Sequence, residues 1–369
     1  MPTQEALDSN TVNGTAVLTL RTVEALDEHS HLWSRLGGNL GTPMHHFAWI
    51  RQSAVHLGDD TRLHISILDG SGAAGVAPLV LTGRPIPTLR FIGADFLYEP
   101  MDFIHADRGS LARLADFLCN AGYPIILRPI FADSPTVAAL QAASRRRGLT
   151  ILRPLFSTPW IPLDASWEDA PRHLESGRRS DLRRARRTAE RIGPVRFEII
   201  TPDPSRLDAT LEEAFRVESL GWKGRTASAL EKDSLRGAFY RSYAAAASAQ
   251  SLLRVCFLRI GERAVAMQIA VVCGARFWLL KIGYDEEFAR CSPGNLLLSE
   301  TIGSAARSGC QSFEFLGSME SWIRVWTHHA RPCLDLRFYP TRPRGMAALF
   351  ADLPRLALRA FRPKTWDRG

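Results

Sequence analysis

Residues 276–326 read RFWLLKIGYDEEFARCSPGNLLLSETIGSAARSGCQSFEFLGSMESWIRVW. The apolar run that ends at Gly283 predicts a strand, and the apolar residues from Leu296 onward recur at helical spacing. Between them lies SPGN at 292–295, where proline suits the first helical turn and asparagine suits a cap. The stretch therefore predicts a strand, a short loop and a helix, followed by a second strand at 311–317.

A helix that starts directly after a strand is a place where an anion can bind. The first N–H groups of a helix have no partner within the helix, and the helix dipole favours negative charge there. Gly294 carries no side chain, so a ligand can approach its backbone closely. These residues are also typical of an ordinary helix entry. The hypothesis with functional content is a phosphate site formed by Ser292, Gly294, Asn295 and Leu296.

The composition is that of a globular protein with about two domains. The chain has 369 residues, of which 46% are hydrophobic and 23% charged, which excludes a disordered or fibrous chain. No apolar window reaches the roughly 18 residues that would span a membrane, and residues 1–14 lack the features of a secretory signal. The six cysteines form no CxxC pair, so we expect reduced thiols and no metal site.

Apolar patterning outside this stretch alternates strands and helices in two halves. The pattern Leu63–Leu68 before a glycine turn resembles Leu253–Leu258 before Gly261. A chance likeness of two hairpins is one explanation, and a duplicated domain is the other. We predict an α/β (α+β) fold of two tandem domains, each a mixed sheet flanked by helices, with a cleft between them. The predicted divisions are residues 1–155, residues 156–340 and a tail at 341–369.

Two segments hold the net charge of +8. Residues 172–191 carry eight arginines against three acidic residues, and residues 340–369 carry seven basic residues against two. A diffuse nucleic-acid-binding surface would not be so concentrated. Nucleic acid is therefore not the expected partner.

The first basic segment, GRRSDLRRARRTAER at 177–191, has the spacing of a helix. A solvated helix face is one interpretation. The other is a contact to phosphate on a substrate or cofactor, because guanidinium groups pair with phosphate oxygens. The candidate contacts are Arg178, Arg179, Arg183 and Arg187.

The second basic segment is an amphipathic tail, with apolar residues from Met346 to Phe361 at spacings of three and four. We expect Pro354 to split it into two short helices, because proline removes a helical hydrogen bond. A helix packed on the domain is one interpretation. A peripheral contact with the inner membrane is the other, since basic amphipathic helices bind anionic lipid surfaces.

The order strand, SPG loop, helix and GxxxFxFLG before a tryptophan resembles the CelD/BcsL-type acetyltransferases. That family belongs to the GNAT superfamily and is related to the Fem peptidoglycan aminoacyl ligases. Further matching segments are TPMHHFAWIRQ at 42–52, VAPLVL at 76–81, LRFIG at 89–93, MDFI at 101–104 and WEDAPRHLESGRRSDLRRARRTAER at 167–191. The resemblance extends from about Trp33 to Trp326.

This resemblance implies a tandem GNAT-like fold and acyl transfer from an acyl-CoA, with acetyl-CoA as the expected co-substrate, to an amine or hydroxyl group. In GNAT enzymes the thioester lies along a splayed strand, and the pyrophosphate lies on the next helix start. On this chain Lys281, Gly283 and Tyr284 would form the strand end, and residues 292–296 would bind the pyrophosphate.

Transfer to an amine needs a group that takes up its proton. The candidates are Glu314 and Glu320, with Glu218 third. Glu314 stands where the family usually has aspartate. Arg324 is the nearest cation to a position where the family often has lysine. The implied acceptor contacts are the four arginines above together with Trp222, Arg324 and Trp326.

These features together favour an acyltransferase that modifies a sugar nucleotide or lipid-linked sugar in exopolysaccharide or cell-envelope biosynthesis. We expect it in the cytoplasm, with a peripheral position at the inner membrane as the tail suggests. A Fem-like tRNA-dependent aminoacyl ligase acting on a cell-wall precursor is the first alternative, since the basic helix suits tRNA equally well. A non-catalytic nucleotide-binding regulatory protein is the second, because the His of the family's HxxRW motif, where this chain has Glu218, and the lysine that the family often has before its final tryptophan are both missing.

Overall fold

The computed structural model describes residues 7–12, 15–37, 40–56, 61–70, 73–221 and 234–360, and for residues 7–16, 234 and 355–360 it describes the backbone alone. The N-terminal part contains strands β1 (Leu7–Val12), β2 (Thr15–Leu20), β3 (Thr61–Leu63), β4 (Ile65–Gly70), β5 (Ala73–Ala77), β6 (Leu79–Thr82), β7 (Thr88–Phe91), β8 (Ile104–His105) and β9 (Ile125–Phe131). Its helices are α1 (Val23–Glu28), α2 (His31–Leu36), α3 (Phe47–Val55), α4 (Arg108–Asn120) and α5 (Pro135–Ser144).

The C-terminal part contains strands β10 (Gly148–Pro162), β11 (Val195–Ile200), β12 (Leu253–Ile260), β13 (Arg263–Cys273), β14 (Arg276–Tyr284), β15 (Ser312–Glu314) and β16 (Ala330–Pro340). Its α-helices are α6 (Ser176–Glu190), α7 (Pro204–Ser219), α8 (Ser234–Ala249), α9 (Pro293–Arg307) and α10 (Pro343–Ala360). Two 3-10 helices, Ala165–His173 and Glu286–Cys291, precede α6 and α9.

Strands of the described chain form two sheets. The smaller has the order β1-β2-β4-β5-β8, and the larger has the order β11-β12-β13-β14-β15-β10-β16-β9-β7-β6-β3. The chain passes from the smaller to the larger sheet between β5 and β6, at Pro78. Proline suits this point because it has no N–H group to give to either ladder.

Each half contains one parallel strand–helix–strand unit. β7 and β9 pair in parallel, with Leu89 opposite Ile125, and α4 lies between them in the chain. β14 and β15 pair in parallel, with Arg276 opposite Ser312, and α9 lies between them. A parallel pair requires such a crossover connection. The predicted fold class is confirmed.

The two halves share the larger sheet through β10. This strand pairs with β16 from Gly148 to Pro159 and with β15 from Trp160 to Pro162. The domain boundary expected after residue 155 therefore falls inside a strand, where the register with β16 shifts between Pro154 and Ser157.

Helices cover opposite faces of the C-terminal sheet. Helices α7 and α8 pack with Trp278 on the face that also meets the N-terminal half, where Trp49 and Phe239 have ring centroids 5.0 Å apart. Helices α6 and α9 pack with Phe277 on the other face. Neighbouring residues of a strand point to opposite faces, so Phe277 and Trp278 separate two cores.

The tail forms one helix, which corrects the expectation that Pro354 would split it. Pro354 lies on an exposed part of the helix, where water can satisfy the carbonyl that proline leaves without a donor. Asp352 is buried and accepts hydrogen bonds from Arg337 Nη1 at 2.8 Å and from the Tyr339 hydroxyl at 2.7 Å. The helix therefore packs on β16 through a buried polar group.

Candidate functional site

Strand β14 parts from its neighbour halfway along its length. β15 pairs with β14 only from Arg276 to Trp278, and β15 ends at Glu314. β14 continues to Tyr284 while it remains paired with β13. In the described part of the chain, no strand lies along the other edge of β14 from Leu279 onward. This opening between two parallel strands exposes one edge of a backbone to a ligand.

A bulge in β14 lies at this opening. Ile269 pairs with Lys281 and Ala270 pairs with Leu279, so Leu280 is an extra residue on β14. Leu280 packs in the core of the α7–α8 face, and the Lys281 ammonium lies 4.7 Å from the centroid of the Tyr240 ring on α8. Both side chains therefore point to the same face, as a bulge requires.

The helix start after β14 has an available amide. Asn295 and Leu296 both donate their N–H groups to the Ser292 carbonyl, at 3.0 and 3.2 Å. Pro293 has no N–H group, and the Gly294 N–H has no acceptor within the described residues. The Gly294 amide and the helix dipole thus face outward together, which is the arrangement that binds phosphate.

Ser292 holds this turn in an unusual conformation. Its φ is +44° and its ψ is +51°, the left-handed region that residues with a side chain rarely adopt. Its N–H donates to the Ala289 carbonyl at 2.9 Å, which closes the 3-10 helix Glu286–Cys291. Strained backbone of this kind is often found at binding sites, and it turns the chain sharply into α9.

The structure corrects the expectation that Leu296 binds the pyrophosphate. Its side chain is buried in the core beneath α9, and its N–H is occupied by the Ser292 carbonyl. The reason is helix geometry, because the amides of the third and fourth helical residues both reach the cap carbonyl in this turn, so the N–H of Asn295 is occupied as well.

The end of β14 lies between two helix ends. A Cβ atom on Gly283 would come within 2.7 Å of the Glu218 Cα at the end of α7. A Cβ atom on Gly294 would meet Cδ1 of Tyr284 at 3.6 Å. Gly283 therefore allows close packing of a strand on a helix, whereas Gly294 leaves open space near the helix start.

Glu314 is engaged within the protein. Its carboxylate accepts hydrogen bonds from both terminal nitrogens of Arg331, one of them Nη2 at 3.0 Å, and from the Ser312 hydroxyl at 2.7 Å. The Arg331 guanidinium also lies 4.3 Å from the centroid of the Trp160 ring. Both oxygens of Glu314 are thus occupied in a buried ion pair, which argues against its expected role as a base.

The remaining candidates after β15 lie in a turn at 318–327. Glu320 is exposed and accepts a hydrogen bond from the Trp322 indole at 2.7 Å. Arg324 is exposed, and Trp326 is buried in the core beneath α9. Trp326 is therefore a packing residue here and not the acceptor contact that we expected. Trp222 lies outside the described residues.

The arginine helix α6 borders a groove of about 430 Å³. Its lining residues are Glu168, Asp169, Ala170, Pro171, Arg172, Arg179, Leu182, Arg183, Arg186, Phe197, Leu296, Ser299, Glu300 and Arg307. The groove lies between α6 and α9, on the face away from the N-terminal half. Helix α6 therefore does not face the cleft between the two halves. Its hydrophobic stripe packs on the other side of the sheet.

The arginines of the groove differ in their partners. Arg172 pairs with Asp169 and Arg307 pairs with Glu300. Arg183 donates to the Ser180 hydroxyl at 3.2 Å and, among the described residues, meets no carboxylate. Arg178 pairs with Asp181 at 3.9 Å and, like Arg187, does not line the groove. Arg179 also lines the groove without a carboxylate partner among the described residues, but its Nη1 donates to the Leu174 carbonyl at 3.1 Å. Arg183, which has no backbone acceptor there, is thus the guanidinium best placed to meet an anion in the groove.

Burial raises the pKa of the thiols of Cys119, Cys256, Cys273 and Cys333 to about 12. They are therefore protonated at neutral pH and do not supply a thiolate nucleophile. All six cysteines are free and buried. In the described ranges, no three His, Cys, Asp or Glu side chains gather in a way that could hold a metal ion. No helix among those ranges has the length and apolar character to cross a membrane.

A group of buried polar residues between the halves brings two sequence-based candidates, Lys281 and Glu218, together with Glu99 and Tyr240, which sequence reasoning missed. It joins Glu99, from the loop between β7 and β8, to residues at the open end of β14. Glu99 stands in the apolar run FLYEPMDFI at 96–104. A carboxylate in such a run was the available signal, but its partners are more than 100 residues away in the chain.

Comparison with known proteins finds a family similar to the C-terminal half. Residues 176–324 match the family described as an acetyltransferase (GNAT) domain. A search of curated proteins found no significant match. Among solved structures, FemX has a TM-score of 0.55 at 11% identity, covering 93% of this chain and 99% of that one.

Two further structures are similar. One is a C-terminal domain assigned to a lysylphosphatidylglycerol synthetase of Agrobacterium fabrum, with a TM-score of 0.54 at 13% identity, covering 89% of this chain and 96% of that one. The other is L-PGS from Bacillus licheniformis, with a TM-score of 0.53 at 13% identity, covering 88% of this chain and 96% of that one. At these identities the likeness shows a shared fold alone. Residues 176–324 are therefore similar to a GNAT acetyltransferase domain, within a chain whose fold is similar to that of these proteins.

Proposed function

We propose that the protein is an acyltransferase that moves an acyl group, most simply acetyl, from an acyl-CoA to an amine or hydroxyl of a small or lipid-linked acceptor. One observation carries this proposal. The bulged, open edge of β14 leads directly to the helix start at Pro293, where the Gly294 amide is available. A thioester can lie along the open edge while its diphosphate lies on the helix start.

The chemistry needed from this site is simple. Backbone N–H groups along the open edge polarise the thioester carbonyl and stabilise the oxyanion that forms when the acceptor attacks. The strand also holds the thioester in one orientation, which lowers the entropic cost of the reaction. Transfer is direct, without a covalent enzyme intermediate, and a carboxylate takes up the acceptor's proton. Of the sequence-based candidates, Glu218 lies at the end of β14, packed against Gly283.

The arginine groove supports a donor with additional phosphate. It borders α9, the helix whose start receives the diphosphate, and Arg183 lines it without a carboxylate partner in the described chain. The 3′-phosphate of a coenzyme A bound at the helix start would suit such a guanidinium. An aminoacyl-tRNA donor is the second candidate, because the FemX-like fold and the same arginines also suit a polynucleotide.

For the acceptor we propose a sugar nucleotide or lipid-linked sugar of exopolysaccharide or envelope synthesis, reached on the cytoplasmic side of the inner membrane. The tail supports a membrane contact. Met346, Phe350 and Leu353 are 37%, 64% and 46% exposed and lie on one side of α10. Such an apolar stripe beside basic residues suits an anionic lipid surface.

Calorimetry with three probes tests the donor. We expect acetyl-CoA to bind, 3′-dephospho-CoA to bind more weakly, and unacylated tRNA to bind without saturation at physiological salt. Saturable tRNA binding that falls steeply with salt, together with no binding of acetyl-CoA, would favour the aminoacyl ligase. Binding of acetyl-CoA with no release of free CoA in the presence of any amino-sugar nucleotide or hydroxyl acceptor would favour the non-catalytic alternative.

A further inference from the structure

The buried group between the halves lies at the open end of β14. Lys281 is half-buried on β14, directly after the bulge, and its ammonium lies 4.7 Å from the Tyr240 ring centroid. Tyr240 is 1% exposed, and the charges of Glu99 and Glu218 both raise the pKa of its hydroxyl. The positive charge of Lys281 in turn lowers the pKa of Glu99. Residues from α7, α8, β14 and the N-terminal half thus meet beside the strand proposed to hold the thioester.

Glu99 is unusual among the carboxylates of the described chain. It is 8% exposed, and its Oε2 atom is fully buried with no hydrogen-bond donor among the described residues. No other Asp or Glu in that part of the chain has a buried oxygen in this state. The Tyr240 hydroxyl is likewise buried and has no partner there. Buried polar atoms are nearly always hydrogen-bonded, and each of these two atoms lacks a partner among the described residues, so each is available to a polar group of a ligand.

We propose that Glu99 accepts the proton of a primary ammonium group on the acceptor, beside the open end of β14, and that the Tyr240 hydroxyl donates a hydrogen bond at the same place. This inference rests on the proposed function and deepens it. It assigns the acceptor nucleophile as an amine and gives the N-terminal half a catalytic residue. It also places the acceptor on the α7–α8 face, opposite the arginine groove.

The electrostatics agree with this role. Burial raises the pKa of Glu99 from 4.5 to about 7, although the charge of Lys281 opposes the shift. Burial and the charges of Glu99 and Glu218 raise the pKa of Tyr240 well above its usual value, so Tyr240 remains a hydroxyl donor. Among the described residues, Arg236 on α8 is a further charged group that acts on Tyr240. A carboxyl with a neutral pKa can deprotonate an ammonium group, whereas an alcohol is far too weak an acid to transfer its proton to it before attack.

The step balances without a further reactant. Glu99 takes one proton from the ammonium, and the free amine forms a C–N bond with the thioester carbonyl carbon. The C–S bond then breaks, the second N–H proton passes to the departing thiolate, and coenzyme A leaves as a thiol. Glu99 returns its proton to solvent before the next cycle.

Two nucleophiles and two variants of the full chain test the proposal. The probes are glucosamine, which is largely protonated at neutral pH, and hydroxylamine, which is not. Release of CoA thiol from acetyl-CoA is measured with each probe, and calorimetry measures acetyl-CoA binding. Glu99→Gln removes the proton acceptor with little change in shape. Asp95→Asn is the matched control, because Asp95 is an exposed carboxylate in the same loop, where it pairs with Arg90.

We expect Glu99→Gln to lower the rate with glucosamine by about 100-fold or more, to leave the rate with hydroxylamine near that of the wild type, and to leave acetyl-CoA binding unchanged. With glucosamine the rate of the wild type should rise through about pH 7 as Glu99 loses its proton, and the variant should lack this rise. Asp95→Asn should match the wild type throughout.

Three results would overturn the inference. They are an unchanged rate and pH profile in Glu99→Gln, an equal loss with both nucleophiles, and a wild type that reacts with hydroxylamine and with hydroxyl acceptors but with no primary amine. These leave the proposed function standing. A wild type that does not bind acetyl-CoA removes the proposed function, and this inference fails with it.

Discussion

Gly283 on β14 packs directly against Glu218 at the end of α7, since a Cβ atom on Gly283 would lie 2.7 Å from the Glu218 Cα and 3.0 Å from its Cβ. This contact fixes where the open end of the strand meets the helix that borders the acceptor side. The same strand end meets the start of α9 through Tyr284 and Gly294. The proposed donor and acceptor sides are thus both positioned by packing around one strand.

Gly283→Ala should disturb both folding and transfer. The new methyl group collides with backbone, which cannot move aside as a flexible side chain can, so we expect a loss of about 1–3 kcal/mol in the free energy of unfolding and a lower transfer rate. Gly177→Ala is the control, because nothing lies within 4 Å of its added Cβ. Urea denaturation of the two variants measures their free energies of unfolding, and release of CoA from acetyl-CoA measures transfer. Equal stability of the two variants would contradict the packing argument.

Gly294→Ala should weaken donor binding without harming the fold. Its Cβ would meet only Tyr284, at an ordinary 3.6 Å, but it would stand beside the amide proposed to receive the diphosphate. We expect acetyl-CoA to bind about tenfold more weakly, about 1.4 kcal/mol, while the free energy of unfolding stays level or rises by about 1 kcal/mol. Calorimetry measures the affinity for acetyl-CoA, and urea denaturation measures the free energy of unfolding. Unchanged affinity would remove Gly294 from the site.

Arg183→Gln should weaken binding of acetyl-CoA but not of 3′-dephospho-CoA. Arg183 lines the groove beside α9, whereas Arg184 on the same helix is 72% exposed and pairs with Asp181 at 2.6 Å. Arg184→Gln is therefore the matched control, with the same change in net charge. A loss of about tenfold in affinity for Arg183→Gln alone would support the groove. Equal losses in both variants would indicate that the summed positive charge of α6 attracts the ligand and that Arg183 makes no specific contact.

The stability of the protein should depend on pH through Glu99. Because the pKa of Glu99 is raised from 4.5 to about 7, the folded protein keeps a proton that the unfolded chain has already released. Stability is therefore highest at low pH in this window and falls by about 3 kcal/mol as pH rises from about 4.5 to about 7.

Glu99→Gln has no such proton to keep. It should lack this slope and be the more stable protein above about pH 7. Denaturant titrations of both proteins at matched pH values measure the difference. Parallel curves across the window would show that Glu99 titrates normally.

Phe350→Glu should reduce binding to vesicles that contain anionic lipid. Phe350 is 64% exposed on α10, so the change should leave folding intact while it removes apolar area from the proposed membrane contact. Leu149→Glu, at a residue that is 48% exposed on β10, serves as control. Co-sedimentation with vesicles is the measurement. Equal binding of both variants and the wild type would argue for a helix that only packs on the domain.

The sequence by itself determined the local parts of the site. Residues 276–296 were interpreted as strand, turn and helix start, and β14, Ser292 and α9 lie there, because each signal depends on spacing within one element and on the backbone preferences of glycine, proline and serine. Only the tertiary structure decided which charged groups act together. It buried Glu314 against Arg331, placed α6 on the face away from the N-terminal half, and brought Glu99 to Lys281. Burial and charge pairing arise between elements far apart in the chain, and the pattern of one segment does not contain them.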